Sequence, residues 1–348
     1  MRSFPSLLAL PALLTLLALL ALPALGHAAA PAPAIAPLDP PPDDLRAKAL
    51  AKEAKADGWH MTLNVGATGG GNRTDDVLGT SDGSTVALGA LLDGSAERIA
   101  GRTEWLNTLK VSHAQTQTPQ LPRFVKSLDT LDVASVLLFR RAPDSWVGPY
   151  CRVRAATAVF PGYLVQAADT TVRRTTRAGA VSDVKVKART DILLTDWLEP
   201  LVVAESIGLF ANPTDDKALS VKVRAGATIQ HIVVAGGYAA GDDAKTPELE
   251  LTQLRGANQA GADVEVAVLG LLGEGIGWRA KALLFQPLYS SSTDARALRL
   301  NAELSAGLSM KAAGGWSLEY QVAAKKVPLL LDKWQVQHGL VVALSFKL

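Results

Sequence analysis

A chain of 348 residues has room for one large barrel or two ordinary domains, and a formal charge of +2 argues against wholesale binding of nucleic acid or another acidic polymer. A single cysteine, Cys151, excludes an internal disulfide and reads as a small strand residue, and no Cys/His cluster has the spacing of structural zinc.

In chain order, Arg2 precedes the apolar run "LLALPALLTLLALLALPAL", which ends near "GHAAA". Gly26 and Ala28 supply small residues at cleavage spacing, so residues 1–28 read as a secretory signal peptide. Pro11 and Pro23 interrupt the run and disfavour its alternative, a helical anchor. Residues 29–42 have the Pro/Ala composition of an extended spacer. Residues 43–57 suit a short helix, with Asp43 and Asp44 at its positive end, Lys48, Lys52 and Lys55 later, and Gly58 as a stop. Together, residues 29–57 form a spacer and short periplasmic helix ahead of a third region, residues 58–348.

From Trp59 onward polarity flips at every residue. "WHMTLNVGA", "LSVKVRAGATIQ", "LRLNAELSAGLSMK", "WSLEYQVAAK" and "WQVQHGLVVALSFKL" each place apolar residues on one side and polar residues on the other. The third, residues 298–311, is built from helix-favouring residues, yet as a helix it would have no polar face, whereas period two accommodates every position. Less regular candidates near 84–92, 102–113, 128–140, 149–160, 199–210, 262–272 and 277–286 bring the total to about twelve strands, within the range of bacterial membrane barrels. No run of about 18 apolar residues follows the signal segment, so only a closed barrel offers this region a way across a membrane.

Loop lengths point the same way. The odd connections (67–83, 114–127, 161–198, 231–261, 287–297, 327–333) are mostly longer than the even ones (93–101, 141–148, 211–217, 273–276, 312–315). Membrane barrels show this parity, with short periplasmic turns and long outer loops. Trp59, Trp105, Trp278, Trp316 and Trp334 fall near strand ends on the apolar side, where an aromatic girdle belongs. On the polar side lie Lys222, Arg224, Arg279, Lys281, Arg299, Glu303, Glu319 and Lys325, the candidate lumen-lining residues. Charges there face a wet lumen or pair to fill it, because burying them dry and unpaired is costly. The fold class is therefore all-β: a transmembrane antiparallel up-and-down β-barrel of about twelve strands with a short N-terminal helix.

The closing run "LVVALSFKL", with Phe346 and Leu348 on one face, resembles the C-terminal assembly signal of outer-membrane barrels, many of which end in Phe where this chain has Leu. More broadly, "GWHMTLNVG" (58–66), "KSLDTLDVASVLLF" (126–139) with "FPGY" (160–163), "LEPLVVAESIGLFANP" (198–213) and "HGLVVALSFKL" resemble a family of Gram-negative outer-membrane β-barrels known only as a domain of unknown function. The resemblance covers nearly everything after residue 57. It implies an outer-membrane barrel and brings no activity or catalytic residues with it.

No motif supplies chemistry. His60, His113, His231 and His338 are not followed at metal-ligand spacing by another ligand. "ATGGGNRTDD" (67–76) lacks the Gly-Lys-Ser/Thr ending of a phosphate cradle and reads as an outer loop, and "GLLGEGIG" (270–277) reads as a tight hairpin. Asp75 with Asp76, Asp215 with Asp216, and Asp242 with Asp243 do not form a calcium loop. The basic stretch from Arg173 to Arg189 lies in an outer loop, either as a solvated segment or facing anionic lipopolysaccharide. The sequence therefore predicts no enzyme, catalytic residue, cofactor or metal. It predicts an outer-membrane barrel serving as a passive pore, biased towards anions by Arg and Lys, or as a structural and surface-binding barrel. Its partners would be outer-membrane lipid and lipopolysaccharide, the barrel-assembly machinery during insertion, and a small solute, with no nucleic acid. A soluble periplasmic lipocalin-like barrel and a membrane-embedded hydrolase are the alternatives.

Overall fold

The computed structural model describes residues 57–74, 83–142, 145–215, 218–241, 246–272, 275–311 and 316–347. The expected signal, spacer and most of the helix lie outside these residues, as do Asp75, Asp76, Asp216, Asp242, Asp243 and Leu348.

The first strands are β1 (Gly58–Thr74), β2 (Gly83–Ala100), β3 (Thr103–Gln117), β4 (Val125–Phe139) and β5 (Val147–Thr157). Four short ones follow: β6 (Gly162–Val165), β7 (Thr170–Thr175), β8 (Val181–Val186) and β9 (Asp191–Thr195). Then come β10 (Leu201–Asp215), β11 (Leu219–Val233), the short β12 (Tyr238–Ala240) and β13 (Leu249–Gln253), and β14 (Ala257–Leu271). The chain continues through β15 (Ile276–Ser290), β16 (Asn301–Lys311), β17 (Trp316–Val327) and β18 (Leu331–Lys347).

The twelve long strands close into one barrel in chain order, β18 returning antiparallel to β1 with Leu63 opposite Phe346 and Val65 opposite Leu344. Closure leaves no edge, so wall backbone groups bond within the ladder, as a strand structure in lipid requires. The six short strands belong to the fifth and seventh connections, both at the same end of the barrel. There β12, β13, β7 and β8 form one sheet and β6 pairs with β9. They enclose their own core of Val172, Ile192, Leu249 and Leu251. Alternation missed this outer domain because its strands are only three to six residues long.

Three local expectations change. The glycine-rich stretch read as a loop is strand: β1 runs to Thr74, paired with Gly83 of β2. The ladder needs only backbone groups, so glycines on one strand are tolerated where the other supplies Val86 and Leu88. The connection expected over 93–101 is likewise mostly strand, with a turn at 101–102 where Gly101 takes a left-handed backbone (φ 55°). Asp93, Ser95 and Glu97 looked like loop polarity but occupy alternate positions on the face that also carries Asn64 and Thr62. Finally, residues 298–300 are not strand: a 3-10 turn spans Ala295–Leu298 and β16 begins at Asn301. Loop parity also fails at its last member, since the final odd connection is only 328–330.

Candidate functional site

Pairing register assigns every wall residue to one of two faces. One is apolar and open: Ile207 and Leu209 are 67% and 62% exposed, and Val65, Val153, Ile229, Leu308 and Leu340 are exposed too. Trp59 and Trp105 meet on it with ring centroids 6.0 Å apart, beside the Arg98 guanidinium, 5.9 Å from the Trp59 ring. Trp59, Trp105, Trp146 and Trp316 are exposed near the short-turn end, Trp334 near the other. Trp278 faces the same way but is only 8% exposed, paired opposite Gly270, where an added Cβ would meet its indole 2.4 Å away.

The other face is the lumen, and it is crossed by side chains. Arg154 on β5 donates to Asp132 of neighbouring β4 at 2.8 Å and to Glu303 of β16 at 3.0 Å. Four strands separate β5 from β16 in the barrel order, so this contact is made through the interior. Lys325 completes the strut at 2.8 Å from Glu303. A second strut lies one residue pair nearer the short turns. There Arg152, 6% exposed, donates to Asp263 at 2.6 Å, Glu265 at 2.8 Å and the Ser206 hydroxyl at 3.1 Å. Glu265 also takes Arg224 at 2.8 Å, with the Lys281 ammonium 3.7 Å away. Arg279 pairs with Glu319 at 2.7 Å.

Of the candidate lumen residues, Arg224, Arg279, Lys281, Glu303, Glu319 and Lys325 thus all have oppositely charged partners. Lys222 lies on the same face of β11, opposite Ala267. Arg299 stands apart: it precedes β16, is largely exposed, and bonds Asp332 at the outer turn. The organising residues Arg152, Arg154, Asp263 and Glu265 were not singled out from sequence. Their one local signal is the Arg-x-Arg step in "YCRVRA", which alternates with apolar Cys151 and Val153. Because these cations are matched by carboxylates, the anion bias expected from Arg and Lys alone is corrected to a charge-balanced interior.

Beside the Arg154–Glu303 contact, towards the end with the long connections, lies a cavity of about 70 Å³, lined by Arg152, Arg154, Asp263, Glu303 and Lys325, by Gln230 and Asn301, and by Leu283, Phe285 and Leu330. That volume and its polar lining suit a few waters and no larger solute. The lumen also holds an apolar cluster of Val136, Leu138, Tyr150 and Phe210. It fits where Gly208 and Gly226 face each other; a Cβ at Gly208 would stand 2.1 Å from the Ala225 carbonyl oxygen. At the outer mouth Ala297 and Leu329 pack with Ile232 and Ala257.

The first part of the basic stretch is built into the outer domain: Arg173 pairs with Asp183 at 3.0 Å, Arg174 lies over the Tyr238 ring, and Arg177 donates to the Leu254 carbonyl, whereas Lys185, Lys187 and Arg189 are exposed. Buried Glu199 joins the two long connections, accepting the backbone N–H groups of Gly236 at 2.9 Å and Gly237 at 2.8 Å with one oxygen and that of Asp196 with the other. Burial pushes its carboxyl up, but these backbone donors prevail and hold it below the usual carboxylate range.

No protein-family model matches the chain, and no curated protein does. Among solved structures, it resembles an outer-membrane channel from Pseudomonas putida F1 at 9% identity, covering 89% of this chain and 100% of that one, with a TM-score of 0.41. The NanC porin gives 9%, 82% and 100%, with a TM-score of 0.38. The translocator domain of the autotransporter NalP from Neisseria meningitidis gives 8%, 87% and 93%, also with a TM-score of 0.38.

Proposed function

We propose that this protein is an outer-membrane β-barrel that passes small solutes through a narrow, charge-balanced lumen. The supporting observation is the Asp132–Arg154–Glu303–Lys325 strut, which subdivides the interior without giving it one sign of charge. A wide, water-filled pore would leave such cations facing solvent. Here they are matched, so passage favours small ions and neutral or zwitterionic solutes over large anions. The apolar outer face makes outer-membrane lipid and lipopolysaccharide its surroundings, reached through the signal segment, and "LVVALSFKL" is the segment offered to the assembly machinery. No covalent chemistry is assigned.

A structural or surface-binding role is the second reading, favoured by the separate core of the outer domain. Planar-bilayer recording of the folded protein tests the first. It should give small channel events whose reversal potential stays near zero across a salt gradient. Strong anion selectivity would contradict charge balance, and complete absence of events would leave the structural reading.

A further inference from the structure

The fifth connection does something besides building the outer domain: it folds over the outside of the barrel wall. His113 of β3 and Asp129 of β4 are register partners on the apolar outer face, since the adjacent Ser112 belongs to the lumen side. The Phe160 backbone N–H donates to Asp129 at 2.5 Å and its carbonyl accepts from Lys126 at 2.5 Å. Its ring stands edge-on to His113 with centroids 5.2 Å apart, and Trp197 stacks on it in turn at 5.4 Å. Phe160 thus covers Asp129 on the wall's exterior, whose side chain is 2% exposed and also pairs with Lys126 at 3.1 Å, and it stands against His113, which stays one-third exposed.

Beside it, the β6–β9 pair has two unlike faces. Leu164 and Ile192 point into the outer-domain core, whereas their neighbours Tyr163 and Leu193, also register partners, point out and are 43% and 47% exposed. Trp197, stacked on Phe160, and Leu198 are exposed as well, at 60% and 52%. Leu198 is held in the left-handed region (φ 55°), costly for a leucine, beside the tightly bonded Glu199. A surface domain in water seldom shows a contiguous aromatic patch. Trp and Tyr rings prefer the boundary between headgroups and acyl chains.

We infer that Phe160, Tyr163, Leu193, Trp197 and Leu198 form a lipid-seated flange, embedded in the outer leaflet beside β3 and β4 and continuous with the apolar wall. The partner is the lipid surface, and the inference rests on the membrane-barrel reading above. The flange would widen the protein's footprint at one rim and fix the tilt of the outer domain.

Spin labelling in vesicles tests it. In a Cys151→Ser background, Tyr163→Cys, Leu193→Cys and Trp197→Cys are labelled one at a time. Ile207→Cys on the wall and Val181→Cys on β8 serve as controls, and collision with oxygen is compared with collision with a water-soluble nickel chelate. Positions 163, 193 and 197 should favour oxygen, by less than position 207 because they sit nearer the headgroups, and position 181 should favour the chelate. If 207 favours oxygen while the flange positions favour the chelate, the flange is wrong and the barrel reading stands. If 207 also favours the chelate, the barrel reading itself fails. Spin–spin broadening between copies at 163 or 197 would assign the patch to a second copy of the chain and overturn the lipid partner. Three positions on separate segments keep the test decisive if one variant does not fold.

Discussion

Arg152 is a keystone of the interior, because its guanidinium bridges two carboxylates, Asp263 and Glu265, both nearly buried. Removing one partner of a buried ion pair costs far more than replacing the whole set, since an uncompensated charge remains. Arg152→Met should therefore destabilise the folded barrel by about 3 to 5 kcal/mol, read from urea unfolding followed by tryptophan fluorescence. Adding Asp263→Asn, which removes the carboxylate left without a cation while Glu265 keeps Arg224 and Lys281, should recover much of that loss. A double variant no better than Arg152→Met alone would show that the guanidinium contributes by packing rather than by charge.

Among the elements, the outer domain has its own pH dependence. Glu199 is an ordinary carboxylate in the unfolded chain, near pKa 4.3, and lies lower when folded. A lowered folded value means that its contribution is complete above the unfolded pKa and is lost as pH falls through the folded one. Amide exchange at 195–200 and 234–240, corrected for intrinsic rates, should therefore quicken as pH falls below the ordinary carboxylate range and through the lowered folded value. Glu199→Gln should quicken it at neutral pH as well and abolish the step; an unchanged step in that variant would assign the transition to another group. Legibility also differs by element. Strict alternation identified β11, β16, β17 and β18, because one side meets apolar surroundings and the other polar ones throughout. It stopped short on β1 and β2, where Gly69 to Gly71 and Asp93 to Glu97 carry the composition of loops inside a continuous ladder. The lumen network was illegible for a different reason: Arg152 and Asp263 lie 111 residues apart, and only closure of the sheet sets which walls face each other.

For the molecule as a whole, the apolar outer face requires lipid as its solvent. Leu304 lies on that face between Ala282 and Ala324, next to the lumen residue Glu303. Leu304→Arg should cost about 2 to 4 kcal/mol of folding stability in vesicles if the position is near mid-bilayer, falling towards about 0 to 1 nearer an interface. Glu303→Gln, one residue away but facing inward, leaves Arg154 and Lys325 short of a carboxylate, and should both lower stability and, in a conducting barrel, shift selectivity towards anions. If Leu304→Arg were as harmless in vesicles as a substitution on a water-exposed strand, the assignment of faces would be wrong. The most direct test of the central claim, that this chain spans the outer membrane as a barrel, is fractionation of cells producing the full-length protein, followed by alkaline extraction of the membranes. The mature protein should remain with the outer-membrane fraction and resist extraction; release with the soluble periplasmic contents would contradict the claim.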